Sequence, residues 1–178
     1  ATSRAGKAHL NAYLDDHSLL ISALIELMQS HFRPVDLAFA EDLADALLDD
    51  FEDRGRGGFF FTRHDHEALI HRPRSAHDGA MPSGNGVAAQ ALGRLGHMTG
   101  ETRYLDAAER TLQAFYTALR QSPSGYASLA LALAEQRQPP SLLVLRGPAG
   151  SLAPWLERLA SRYLPHVLCL ALPGDIAG

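Results

Sequence analysis

Apolar residues recur at helical spacing in five separate stretches of this 178-residue chain, and a proline or a glycine cluster closes each one. That pattern commits it to a mainly α-helical fold. The first stretch, residues 14–32, carries Leu19, Leu20, Ala23, Leu24, Leu27 and Met28, with Asp15 and Asp16 in the first turn, where acids favour the helix dipole. Pro34 suits the start of a second helix, running to about residue 50 with Leu37, Ala40, Leu43, Ala44, Leu47 and Leu48 as its stripe. The third, 83–98, presents Val87, Ala88, Ala91, Leu92 and Leu95; the fourth begins near Thr102 and carries Leu105, Ala108, Leu112, Phe115, Tyr116 and Leu119. The fifth, 126–137, is nearly all alanine and leucine, which predicts burial on every side. Short turns join the first to the second and the third to the fourth, whereas long or glycine-bearing segments lead into the first, third and fifth. The pattern predicts stacked αα-hairpins: an inner layer of helices one, three and five, their N-terminal ends turned to one common face, and an outer layer of two and four.

Beyond Pro139-Pro140 the composition changes. Residues 141–146 read as a strand, 152–163 as a helix and 166–172 as a strand, a β-α-β unit whose crossover is long enough for parallel pairing. The expected division is a hairpin domain over 1–138 and a β-α-β extension packed on it over 139–178. Gly147-Pro148-Ala149-Gly150-Ser151 lacks both a Gly-Lys-Ser/Thr ending and the full glycine fingerprint, which argues against a nucleotide there. Cys169, the only cysteine, excludes an internal disulfide and reads as a structural thiol in an apolar strand. A net charge of −4 provides no basic field for nucleic acid or an anionic membrane, and no apolar run reaches the length of a membrane span. The expected location is the cytoplasm. Fifteen arginines against the single Lys7 read as compositional bias of the source genome rather than as anion sites, and the start at Ala1 reads as a processed or excised piece.

The stretch Asp78-Gly79-Ala80-Met81-Pro82-Ser83-Gly84-Asn85-Gly86-Val87 runs straight into the third helix. Pro82 fixes its own φ, Ser83 and Asn85 are favoured at helix starts, and the free N–H groups there suit a carboxylate, a sugar oxygen or a phosphate. A purely structural cap uses the same residues. The long loop ahead of it holds His64, Asp65, His66, His71 and His77, and loops of this length are often functional. His64 and His66 share a face if extended, but no H-x-x-x-H pair supports a metal, so neither metal nor cofactor is expected.

Tyr13-Leu14-Asp15-Asp16-His17, then Gly57-Gly58-Phe59-Phe60, then Asp78 through Asn85 followed by Val87-Ala88-Ala89, in this order and spacing, resemble the C-terminal part of the thioredoxin-domain-containing, spermatogenesis-associated protein family. The resemblance covers roughly residues 13–172. It implies stacked αα-hairpins forming part of an (α/α)6 toroid, similar to six-hairpin glycosidases and N-acylglucosamine 2-epimerases, with a small C-terminal β-α-β element; in the family a thioredoxin-like domain stands in front. Two positions depart from the family's pattern: His17 stands where a tyrosine is expected, and Gly86 where a small hydroxyl residue is expected. About two and a half hairpins are present where six are implied. The chain therefore reads as a C-terminal fragment whose partners are the missing half of the ring and the thioredoxin-like domain.

If the inner helices open on one mouth, Asp15, Asp16, the 78–85 loop and Ser124-Gly125-Tyr126 gather there. The function implied is carbohydrate processing or sugar binding, with enzymatic activity left open. Asp16 and Asp78 would be the carboxylate pair of a glycoside hydrolysis, and His64 the acid/base of a sugar epimerisation. Asp15, His17, His66, Ser83, Asn85 and Tyr126 would contact the sugar. The alternative is a non-catalytic helical scaffold that docks a protein partner. Apolar inner-helix surface left uncovered by an incomplete ring predicts self-association.

Overall fold

The computed structural model describes residues 2–4, 6–9, 11–65 and 71–174. Among these, six α-helices dominate: α1 Leu14–Ser30, α2 Pro34–Ala46, α3 Gly84–Thr99, α4 Thr102–Gln121, α5 Ala127–Arg137 and α6 Ala149–Ala160. Strands β1 Thr2–Arg4 and β2 Lys7–His9 form an antiparallel ribbon that the sequence pattern did not suggest. Strands β3 Ser141–Gly147 and β4 Val167–Pro173 pair in parallel, Ser141 opposite Val167 and Gly147 opposite Pro173, with α6 as the crossover. The chain is thus mainly helical with a small two-stranded parallel sheet, as its periodicity predicts.

Helix α3 is the centre of the packing. It lies between α1 on one side and α5 on the other, with α4 against it and α2 against α1. Small residues allow this closeness. A Cβ added at Gly84 would sit 2.8 Å from Leu14 Cγ of α1, and one at Gly86 would sit 2.8 Å from Ser128 Cβ of α5. Those contacts join the first turn of α3 to the first turns of both neighbours, so the three helices run in the same direction. The Ser83 hydroxyl caps α3 by accepting the Gly86 N–H at 3.1 Å, and Gly100, at φ +81°, ends it in the left-handed conformation that glycine adopts without strain.

The main core gathers Ile21, Ile25, Met28, Phe51, Phe59, Leu92, Leu95 and Tyr104, all at 0% exposure. A smaller cluster around Leu112, Leu119 and Leu129 fills the space between α3, α4 and α5. Leu168 and Leu170 of β4 join the main core, and the Cys169 N–H donates to Gln29 Oε1 of α1 at 3.3 Å, tying the sheet to the first helix. Burial pushes the Cys169 thiol above its ordinary value, which favours the unreactive protonated form.

Two helices differ from expectation. The second keeps α-geometry only to Ala46 and finishes in a π-helical turn, Leu47–Phe51, with Leu47 and Phe51 both at 0% exposure. The fifth buries Ser128, Leu129 and Ala132 but leaves Leu131 59% exposed. Its neighbours α3 and α4 cover one side; an Ala/Leu composition says the other side could be buried, not that anything is there to bury it. None of the described helices is long and apolar enough to cross a membrane.

Candidate functional site

The first turns of α1, α3 and α5 meet at one end of the helical layer, held by carboxylates and hydroxyls. At α1, Asp16 reaches back to accept the Tyr13 N–H at 2.8 Å, and that hydrogen bond holds its carboxyl below the usual range. Asp15 moves the other way. Burial raises it, the neighbouring Asp16 charge raises it further, and a hydrogen bond from the Gly84 N–H opposes both. His17 turns inward: it is 8% exposed, its Nδ1 is 2.9 Å from Tyr13 O, and its ring centroid is 5.0 Å from that of Phe51.

Asp78 joins the other two tips. Its carboxylate accepts the Ser83 N–H at 2.8 Å, the Ser128 N–H at 2.9 Å and the Ser128 hydroxyl, while the two serine hydroxyls lie 3.1 Å apart. Burial works against its charge, but the bonds from Ser128 and Ser83 outweigh it and leave the carboxyl below the usual range. A depressed folded-state pKa means stability that is present above the unfolded value of about 4 and lost as pH falls through the folded value. Asp78→Asn is therefore expected to cost about 1–2 kcal/mol at pH 7, after allowing for solvent screening, with the gap to wild type closing below about pH 4. Urea titrations at pH 7 and pH 3 check this; an unchanged gap at the two pH values would show that the charge is not what matters.

Asn85 is at 0% exposure and its amide is fully engaged. Oδ1 accepts the Phe59 N–H at 2.7 Å, and Nδ2 donates to Phe59 O and to Ser75 O, each at 2.9 Å. It therefore fastens two loop segments to the start of α3. Tyr126 is half-buried at the start of α5, edge-on to the His77 ring at 5.4 Å. His64 is exposed beside the π-helical turn, with Nδ1 3.3 Å from Asp50 Oδ1. His66 lies outside the described residues.

An open cleft of about 310 Å³ lies at these tips. The start of α3 from Ser83 to Asn85 lines it together with Leu14, Asp15, Phe61, Pro73, Ser75, His77, Gly79 and Met81. Of the sequence-nominated residues it brings together Asp15, Ser83 and Asn85; Asp16, His17, Asp78, His64 and Tyr126 are not among its walls. Phe61 and Ser75 are walls that the sequence did not single out, whereas His77 belongs to the histidine loop and Met81 to the 78–87 stretch. For Phe61 the available signal was the Phe59-Phe60-Phe61 run, whose last ring stacks on Tyr13 with centroids 4.8 Å apart and remains 37% exposed.

Two larger cavities, about 500 and 510 Å³, lie elsewhere. The first is lined mainly by arginines and carboxylates, among them the pairs Arg103 with Asp45 and Arg110 with Glu52; the second runs between α1 and α6. Among the described residues no group of three or more His, Cys, Asp or Glu is placed to hold a metal ion.

No family model matches the chain. It is 28% identical over 166 residues to spermatogenesis-associated protein 20 of Homo sapiens, and equally to the proteins of that name from Rattus norvegicus and Mus musculus. Each alignment takes in 92% of this chain and 21% of the relative. The chain spans about a fifth of the length of the curated relatives it matches.

Proposed function

We propose that the cleft at the tips of α1 and α3 binds a neutral, hydroxyl-rich ligand of sugar size, within a unit that forms part of an α/α toroid. Its composition carries this reading: an exposed Phe61 ring for the C–H face of a sugar beside the Asp15 carboxylate, Ser75 and His77 for its hydroxyls. A volume of about 310 Å³ falls at the small end of ligand pockets. The charges nearby argue for a neutral ligand. Arg72 donates to Thr62 O and stacks on Phe60, and Arg74 donates to Gly57 O and lies over Phe115, so neither guanidinium lines the cleft.

The reading is one of binding rather than hydrolysis. Glycoside hydrolysis uses two carboxylates flanking the bond, and Asp15 is the one carboxylate in the cleft wall, with Asp16 and Asp78 hydrogen-bonded to backbone N–H groups. The same engagement of Asp78, Ser83 and Asn85 supports the second reading, a non-catalytic scaffold within a longer protein containing a thioredoxin-like domain.

A panel of mono- and oligosaccharides, followed by melting temperature and then calorimetry, tests the proposal. At least one sugar at millimolar concentration is expected to raise the melting temperature, and Asp15→Asn and Phe61→Ala are each expected to weaken its binding tenfold or more, about 1.4 kcal/mol. Asn at position 15 retains an oxygen for the Gly84 N–H, so the fold should persist. If folded wild type responds to no sugar, the scaffold reading replaces this one.

A further inference from the structure

The two ends of the α1–α3–α5 row are complementary, and we infer that they dock copies of this chain head to tail, α5 of one copy against α1 of the next. On α1, Leu20 and Leu27 are 39% and 44% exposed with exposed Ala23 between them. Their spacing puts them in one stripe on the side of the helix opposite the core. On α5 the corresponding stripe is Ala127, Leu131 and Ala134, exposed throughout, with Leu131 at 59%. The two are shape complements: large-small-large on one, small-large-small on the other, over the same length of helix. Set side by side and parallel, Leu20 faces Ala127, Leu131 faces Ala23 and Leu27 faces Ala134, which lets leucines enter the gaps left by alanines.

Charge selects the same partner and the same direction. The first turn of α5 has no acid, and its N-terminal end is partially positive; in the parallel seam Asp16, in the first turn of α1, lies one helical turn beyond that end. The last turn of α1 has no base, and its C-terminal end is partially negative; it falls next to Arg137, in the last turn of α5. An α1-to-α1 or α5-to-α5 contact offers neither match. Because α1 and α5 run in the same direction within one copy, the contact is head to tail, and repeating it gives a ring where the rotation closes and a filament where it does not.

Sedimentation velocity and light scattering between about 5 and 200 μM test the contact directly. Wild type is expected to show a mass at least twice that of the monomer, and Leu27→Glu and Leu131→Glu each to be monomeric with an unchanged circular-dichroism melt. Mixing the two variants is the decisive measurement. Each retains one intact flank, so together they should form a mixed dimer and nothing larger. Wild type that stays monomeric overturns the inference, and so does Leu131→Glu protein that still self-associates, or a mixture that does not associate. Should either glutamate variant unfold, Ala23→Arg and Ala134→Arg, which block the same stripes from the small side, give the same readouts.

Discussion

Replacing Asn85 by alanine is expected to lower the stability of this protein by about 3–5 kcal/mol, the largest loss from any single substitution at the tips of the layer. The side chain makes three hydrogen bonds, and two of them serve the N–H and the C=O of Phe59, a residue at 0% exposure. Alanine leaves both groups buried with no partner, and each such group costs about 1–3 kcal/mol. Ser75, the third partner, is exposed, so its carbonyl can turn to water at little cost. For a chain of this size the loss corresponds to a fall in melting temperature of roughly 6–20 °C. Asn85→Asp should be no milder at pH 7, because a second carboxylate oxygen would then face two carbonyls where an N–H₂ group now donates. Equilibrium denaturation of both variants decides the matter. A loss within about 0.5 kcal/mol, the range of an ordinary surface substitution, would mean that Asn85 does not anchor the loop and is available for a ligand after all.

The second large effect lies at the contact of α3 with α5. A Cβ at Gly86 would stand 2.8 Å from Ser128 Cβ and 2.9 Å from the Leu129 backbone nitrogen, and nearer still to the Ser128 hydroxyl. Gly86→Ala is therefore expected to force the two first turns apart, costing about 2–3 kcal/mol as overpacking does, and to disturb the bonds from Ser128 to Asp78 as well. The resemblance leads one to expect a hydroxyl at residue 86. In this chain the Ser128 hydroxyl occupies that space from the opposite helix, which explains how glycine is accommodated there. Ser128→Gly should accordingly relieve Gly86→Ala in part, although Leu129 N remains close. A double-mutant cycle is expected to give a coupling of about 1 kcal/mol or more in the relieving direction, and strict additivity would show that the two residues do not compete for the same volume.

These two positions also show what the sequence could and could not say. The helices are written in their apolar spacing, and the break at Pro139-Pro140 with a crossover of helical length was enough to anticipate a parallel β-α-β unit. The meeting of three helix starts was legible too, because glycines and short polar residues lead into α3 and α5. What each polar residue does at that end was not. Asn85 pairs with a residue 26 positions away and Asp78 with one 50 positions away, distances over which no local pattern operates. An acid in a first turn has the same letter whether it caps a helix, as Asp16 does, or lines a cleft, as Asp15 does. His17 follows two acids at the helix start, yet helical geometry carries it around to the Phe51 side. Composition overstated the burial of α5 because an apolar helix records what its surface tolerates rather than what surrounds it.

Gln29 sets the direction in which the small sheet can grow. By accepting the amide of Cys169 it occupies the outward side of β4 at mid-strand, where a further strand would have to pair. An added strand, whether from misassembly at high concentration or from a longer protein, is thereby turned away from the outer side of β4. Along β3, Leu142 and Val144 are 40% and 42% exposed. A lysine at residue 142 or 144 would be the economical way to make that margin resistant to aggregation.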